Sequence, residues 1–445
     1  MKQIHIGILG LGTVGTGIAR LLTENREIIS ARLGAELHLK KAADLDIERD
    51  RGIDFAPGVL TTDPYEVVND PEIHIVLEMI GGMDIARELI MKGIEKGKHI
   101  VTANKALLAT RGNEIVGRAA QKGLSLAFEA SVGGCMPIIK TVRESLVGNN
   151  IHAVTGILNG TCNYILTRIA DEGISFETAL DRAKAEGYAE ANPSLDVDGY
   201  DTAHKLAILS AIAFGMKINY DDVYIEGISA LTPMDIEFAA QCGYRIKLLA
   251  ITKSDGKSVE ARVHPAMIPF TDLLSNVSGS MNAVTVTGDA VGDMILYGRG
   301  AGMMPTASAA IGDVVDIARS IVAGGAMRVP MLGYQMDHIR EIPIKPMDEI
   351  ETHYYFRFSA LDKPGVLARI AGVLGEHDIS IKFVHQTKRR TNGAVPVYML
   401  THRAREAQVK QALDKIAQFD FIPQRPVLIR IESPEEQKAG QPEQA

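Results

Sequence analysis

Over the first third of the chain, short apolar runs are separated by longer segments in which apolar residues recur at helical spacing. Residues 4–9 form an apolar run and residues 16–22 an amphipathic helix. Residues 36–43 read as a second strand closing on Asp44, 73–80 as a buried strand ending at Gly81 and Gly82, and 86–96 as a helix. A strand at 99–102, a helix at 113–122 and a strand at 125–130 follow. Strands alternating with helices predict a doubly wound α/β sheet, whose ligand lies at the carboxyl ends of the strands. Residues 206–214 are apolar nearly all round, the mark of a buried helix. After residue 346 the order becomes strand 352–360, helix 367–376, strands 379–386 and 395–402, helix 404–418 and strand 427–431. That β-α-β-β-α-β succession predicts a ferredoxin-like module.

Between the first strand and the first helix, Gly10, Gly12 and Gly15 follow the spacing G-x-G-x-x-G. The first glycine permits a tight turn, the second lets backbone approach a pyrophosphate, and the third lets helix pack on strand. With the helix N-terminus facing the phosphates, the first sheet reads as a Rossmann-type dinucleotide domain. The ribose partner is expected at the end of the second strand, where Asp44 stands. A carboxylate accepts bonds from free hydroxyls and repels a 2′-phosphate, which favours NAD over NADP. Lys40, Lys41, Arg49 and Arg51 are close enough in sequence to offset that repulsion.

Composition narrows the class. The 445 residues exceed one core and imply two to four domains. We divide them into a dinucleotide-binding domain (1–135), an α+β domain (136–320), a return segment and linker (321–350), the ferredoxin-like module (351–432) and a tail (433–445). The tail is rich in Glu, Gln and Pro and is expected to be disordered. A net charge of −8 leaves no basic footprint for nucleic acid. Cys135, Cys162 and Cys242 lie far apart without a C-x-x-C pair, which argues against a metal cluster or disulfide framework and for a reducing cytoplasm. Cys162 reads as an inert buried thiol rather than a nucleophile. No apolar run approaches the length of a membrane span, and the N-terminus is a strand without a signal-peptide profile, so no membrane partner is expected.

Three further clusters carry candidate chemistry. Thr102 ends a buried parallel strand and Lys105 follows it, which aims the lysine into the cofactor crevice, where an amine can bond a substrate carboxylate or carbonyl. From Glu129 to Pro137, glycines and a proline aim carbonyls inward, an arrangement suited to a hard monovalent cation, to a cofactor clamp or to a turn between domains. The third cluster runs from Gly187 to Lys205. Asp201 and Lys205 stand four apart, on one face of a helix. A lysine leading into an apolar helix is expensive unless it is paired, and a buried amine is a candidate proton donor. Glu190 and Asp196 arrive from the preceding loop and favour a polar pocket over a surface ion pair. His204 is expected to face elsewhere.

These residues resemble the homoserine dehydrogenase family, whose members interconvert L-aspartate 4-semialdehyde and L-homoserine. The resemblance runs from Ile4 to about Ser320 through Gly10 to Gly15, Thr102 to Lys105, Glu129 to Pro137, Leu158 to Asn163, Gly187 to Lys205, Val263 to Ala266 and Tyr297 to Ser308. It implies residues 136–320 as the catalytic and dimerisation domain, Lys205 as proton donor to the aldehyde oxygen and Lys105 as the second amine. It implies Glu190 and Asp201 as acids holding the substrate's amino group, with Asp196 ordering the same pocket. Thr13, Val14, Lys105, Gly187, Glu190 and Gly302 match cofactor positions, and the carbonyls of Glu129, Val132, Gly134 and Met136 match a sodium site.

Two positions depart from the family pattern. Many members carry an arginine where this chain has Ala43, and its absence reinforces the NAD reading, since a guanidinium fork suits phosphate. Arg299 stands where proline is common. The turn holding Asp362 and Gly365 resembles ACT domains, which bind amino acids, and makes threonine the expected effector. A homodimer or homotetramer is expected, with no fused kinase segment ahead of Met1. Another amino-acid dehydrogenase, or a sensor without turnover, are the alternatives; the presence of both lysines speaks against the sensor.

Overall fold

In the computed structural model, which describes residues 2–325, 329–386 and 393–432, six parallel strands form the first sheet. Their order is Leu60–Thr61, Glu36–Ala43, Gln3–Leu9, Ile75–Glu78, His99–Thr102, Leu126–Ala127. The strand order reverses between Gln3–Leu9 and Ile75–Glu78, which opens the ligand crevice expected of a doubly wound sheet. Ile4, Ile6, Ile8 and Leu9 are all buried, as a parallel strand covered on both faces requires. Gly10 has φ +91°, and a Cβ on Gly15 would lie 1.9 Å from the Gly10 carbonyl oxygen, so the helix Thr13–Glu24 packs on the strand only with glycine there.

Several elements differ from the sequence reading. The helix read as 113–122 runs over Lys105–Gln121. Gly112 and Asn113 resemble a break, yet Gly112 lies mid-helix because a Cβ there would meet Ile218 at 2.6 Å. The Asn113 amide donates to the Ile218 carbonyl (2.8 Å) and accepts from its N–H (3.0 Å), docking the helix on the second domain. The strand read as 125–130 is only Leu126–Ala127 and passes into a short 3₁₀ turn, Glu129–Ser131. The buried strand read as 73–80 is Ile75–Glu78, because Glu78 accepts the N–H groups of Ile80 and Gly81 and turns the chain. The helices Arg26–Leu33 and Pro64–Asn69 escape the pattern, both being short and the first weakly amphipathic.

The second sheet holds Gly292–Arg299, Met281–Gly288, Ile151–Ile157, Tyr244–Ser254 and Val259–Pro269 in that order. It does not stop there. The last strand of the ferredoxin-like module, Val427–Ile431, pairs in parallel with Val259–Pro269, and the sheet continues through Glu351–Leu361, Ala394–Thr401 and Ile381–Gln386. Buried ions stitch this junction. Arg262 donates to Glu432 (2.6 Å), and Asp235 accepts from Arg357 (2.6 and 3.0 Å) and from the Tyr355 hydroxyl (2.8 Å). The helix Met303–Val322 returns to pack on Thr13–Glu24 and completes the core of the nucleotide domain. Residues 433–445, read as a disordered tail, lie outside the described residues. Among the described residues no helix is long and apolar enough to cross a membrane.

Candidate active site

The helix Tyr200–Phe214 begins at Gly199, held at φ +90°, and buries nearly every residue after its first turn. Its period places Asp201 and Lys205 side by side, and Lys205 Nζ donates to Asp201 Oδ2 at 2.7 Å. A second Lys205 bond, 2.7 Å long, reaches the Leu158 carbonyl at the end of the strand Ile151–Ile157. Lys105, the first residue of its helix, comes from the other domain and places Nζ 3.3 Å from Asp201 Oδ1. Two lysines from two domains therefore share one carboxylate. Burial opposes ionisation of Asp201, but the two ammonium groups outweigh it and hold the carboxyl well below its usual range.

Asn159 completes the cluster. Its amide nitrogen donates to Asp196 (2.7 Å) and to Asp201 (2.9 Å), while its carbonyl oxygen caps the helix Gly160–Glu172 at Cys162 N (2.8 Å). The sequence reading assigned Asn159 no role, although an Asn just ahead of a helical pattern is a cap signal. Burial raises the Asp196 carboxyl, and the negative charge of Asp201 adds to it. Cys162 is buried, its thiol pushed up by burial and donating to the Asp196 carbonyl (3.1 Å), in keeping with an inert thiol. His204 packs against the Tyr220 ring at a tilt (4.5 Å between ring centres) rather than joining Lys205. Gly187 and Glu190 lie on an exposed loop, tied back where Thr161 donates to the Tyr188 carbonyl (2.6 Å). Glu190 stands outside the hydrogen-bonded cluster.

On the nucleotide side, Gly12 and Thr13 are exposed, a Cβ on Gly12 would touch nothing, and the helix Thr13–Glu24 has no side-chain cap. Its first N–H groups thus face open space, with Val14 half-buried beside them and Gly15 below. These features fit the pyrophosphate of a dinucleotide. Asp44 accepts from Leu11 N–H (2.6 Å), and Arg51 lies 3.1 Å from its other oxygen while donating to the carbonyls of Leu11, Arg49 and Asp46. Lys40 and Lys41 are paired elsewhere, with Glu72 and Glu66. Thr102 is fully buried and donates to Glu78 (2.7 Å), so its side chain forms the floor of the crevice rather than its wall. Glu78, which the sequence reading passed over, joins this strand end to the next.

The turn after Glu129 crosses between domains. The Glu129 carboxylate accepts Ile139 and Lys140 N–H (both 2.9 Å), and burial together with the Asp313 charge pushes it up to about 7. The Glu129 and Met136 carbonyls accept from Val132 (3.3 Å) and Ile138 (2.8 Å). Those of Val132 and Gly134, also inside this buried turn, accept no hydrogen bond among the described residues. Gly134 abuts the loop ahead of Gly302, where a Cβ would lie 2.5 Å from the Arg299 carbonyl oxygen. Gly302, at φ +120°, opens the return helix. In the distant module Gly365 (φ +86°) opens the helix Val366–Glu376, with Asp362 half-buried before it.

Known proteins match nearly the full length of the chain. Residues 10–129 match the NAD binding domain of homoserine dehydrogenase, residues 137–315 match homoserine dehydrogenase itself, and residues 354–421 match the ACT domain. The homoserine dehydrogenase of Neisseria gonorrhoeae is 45% identical over 433 residues, spanning 97% of this chain and 99% of the relative. The crystal structure of a homoserine dehydrogenase from Thiobacillus denitrificans gives a TM-score of 0.92 at 47% identity, covering 97% of this chain and 99% of that one. A hyperthermophilic archaeal homoserine dehydrogenase in complex with NADPH gives 0.62 at 25% identity, covering 73% of this chain and 100% of that one.

Proposed function

The chain belongs to the homoserine dehydrogenase family and is an NAD(P)-dependent oxidoreductase; from that premise we propose that Lys205 gives the proton when L-aspartate 4-semialdehyde is reduced to L-homoserine. The reduction needs a hydride at the aldehyde carbon and a proton at its oxygen. When bound, the reduced nicotinamide supplies the hydride. Of the three N–H donors of Lys205, two are spent on Leu158 and Asp201, which leaves the third for the substrate oxygen. Asp201 fixes the direction of that donor and, with Asp196 and the exposed Glu190, offers negative charge to the substrate's ammonium group. Lys105 balances Asp201 from the cofactor side. The observation that carries this reading is the single carboxylate of Asp201 holding one lysine from each domain. Its test is the Lys205→Ala variant, in which turnover should collapse while the fold survives.

For the cofactor, we favour NAD. Ala43 provides no guanidinium, Lys40 and Lys41 are engaged by Glu72 and Glu66, and Arg51 has three of its donors on backbone carbonyls. The ratio of kcat/KM with NADH to that with NADPH is expected to exceed one. Asp44→Ala should narrow that ratio while weakening both cofactors, because it also releases the Leu11 N–H. A clear preference for NADPH in the unaltered enzyme overturns the assignment.

The ACT domain is proposed to sense threonine at the turn of Asp362 and Gly365, and the turn of Glu129, Val132, Gly134 and Met136 to seat a sodium ion. A ligand held only by the folded chain raises its melting temperature. Thermal melts with threonine, and with sodium in place of choline, are expected to show such a rise. Threonine should also slow turnover, and both its effects should weaken in Gly365→Val, since φ +86° strains a β-branched residue. A ligand that leaves the melt unmoved loses its assignment.

A further inference from the structure

The ACT domain grips one short strand of the catalytic domain that packs beside the active-site segment. Arg430, 2% exposed on the strand Val427–Ile431, donates to both oxygens of the fully buried Glu406 (3.0 and 2.5 Å) within its own domain. Its remaining donors cross into the catalytic domain, to Glu226 Oε2 (2.7 Å) and to the Tyr224 hydroxyl (3.2 Å), which in turn donates to Glu226 (2.9 Å). The guanidinium also lies over the Tyr224 ring, 5.1 Å from its centre.

The strand Tyr224–Ile225 is clamped from below as well. It pairs with Arg262 and Val263, and Glu226 N–H continues the pairing to the Val263 carbonyl (2.8 Å). Its other side faces the segment that carries the substrate acids. Ile228 N–H donates to the Val197 carbonyl (2.9 Å), and Gly227 lies so close that a Cβ would meet the Val197 oxygen at 2.3 Å and the Asp198 Cα at 2.6 Å. A Cβ on Gly199 would come within 3.2 Å of Ile225. Asp196 precedes this contact by one residue, and Asp201 follows Gly199 by two. At such distances a shift of Glu226 is passed to Val197 and Gly199 rather than absorbed, because close-packed backbone leaves no slack.

We infer that Glu226, held by Arg430 of the ACT domain, is a positioning residue for the amino-acid substrate, setting the segment 196–201 through the strand Tyr224–Ile225. The inference rests on the reading of Asp196 and Asp201 as substrate acids. Arg430→Ala would strand Glu406 as an unpaired buried charge and is not a clean test. Glu226→Ala is cleaner, since its side chain is 36% exposed and its loss leaves the Arg430–Glu406 pair in place. In the full-length enzyme Glu226→Ala is expected to raise KM for homoserine roughly 2- to 30-fold. The cofactor KM and the melting temperature should stay near wild type. Glu226→Gln, which keeps an acceptor for Arg430, should recover part of the loss.

An unchanged homoserine KM in folded Glu226→Ala overturns the inference, as does a parallel loss of cofactor affinity and melting temperature. Lys205→Ala measured alongside separates the two failures. If Lys205→Ala is inactive while Glu226→Ala leaves homoserine KM unmoved, only the coupling fails. If Lys205→Ala retains turnover, the reading of the site itself fails.

Discussion

Lys205→Ala is expected to lower kcat by about 10² to 10⁴, the range that a positioned general acid contributes. The cofactor KM should change little, because the glycine turn at Gly10 to Gly15 lies in the other domain. The fold should survive, since Asp201 keeps Lys105 at 3.3 Å and the Asn159 amide at 2.9 Å after the amine is removed. A loss of kcat and kcat/KM together would mark an interaction made in the transition state, whereas a rise in KM alone would reduce Lys205 to a binding group. Steady-state rates in both directions, followed by nicotinamide absorbance, decide the matter. Turnover near wild type would remove Lys205 as the donor.

Truncation of the chain at Pro346 is expected to abolish soluble, cooperatively folding protein. The cut removes the strand Val427–Ile431 from the edge of Val259–Pro269, takes Glu432 from the buried Arg262, and takes Arg357 and Tyr355 from the fully buried Asp235. The cut also bares the backbone edge of Val259–Pro269 and the apolar residues that pack across it, and an unpaired strand edge of this kind is a template for aggregation. Soluble yield and a thermal melt of residues 1–346 test this. A soluble fragment with a sharp transition and full turnover would show that the shared sheet is dispensable. For the same reason, the response to threonine is best measured on the intact chain.

Much of this architecture was legible in local pattern. The strands at 36–43, 99–102 and 427–431 appear in the structure with those same bounds, as Glu36–Ala43, His99–Thr102 and Val427–Ile431. Each has a residue pattern that burial on a sheet demands and a turn that ends it. Asp201 and Lys205 were expected to meet because four residues make about one helical turn, and they do so at 2.7 Å. The glycine turn likewise declared itself, since the short interval from Gly10 to Gly15 brings backbone onto backbone at 1.9 Å from any added Cβ.

Features that depend on neighbours within a few residues are thus legible along the chain: the alternation of strand and helix, the phosphate turn, the Asp201–Lys205 pair and the order of elements in the ACT domain. The remainder comes from contacts between segments distant in the chain. Lys105 and Asp201 stand 96 positions apart in the chain, and no periodicity announces that one carboxylate will serve two domains. Gly112 reads as a helix breaker until Ile218 packs against it, and Asn159 carries no role in the sequence reading until two aspartates fold back onto its amide. Local propensities are worth less than about 1 kcal/mol per residue, so contacts made across the fold override them wherever the two conflict. The fusion of the ACT sheet to the catalytic sheet is of the same kind. The exposed backbone edge of Val259–Pro269 finds its partner in Val427–Ile431 at the far end of the chain, and only the folded chain brings those two edges together.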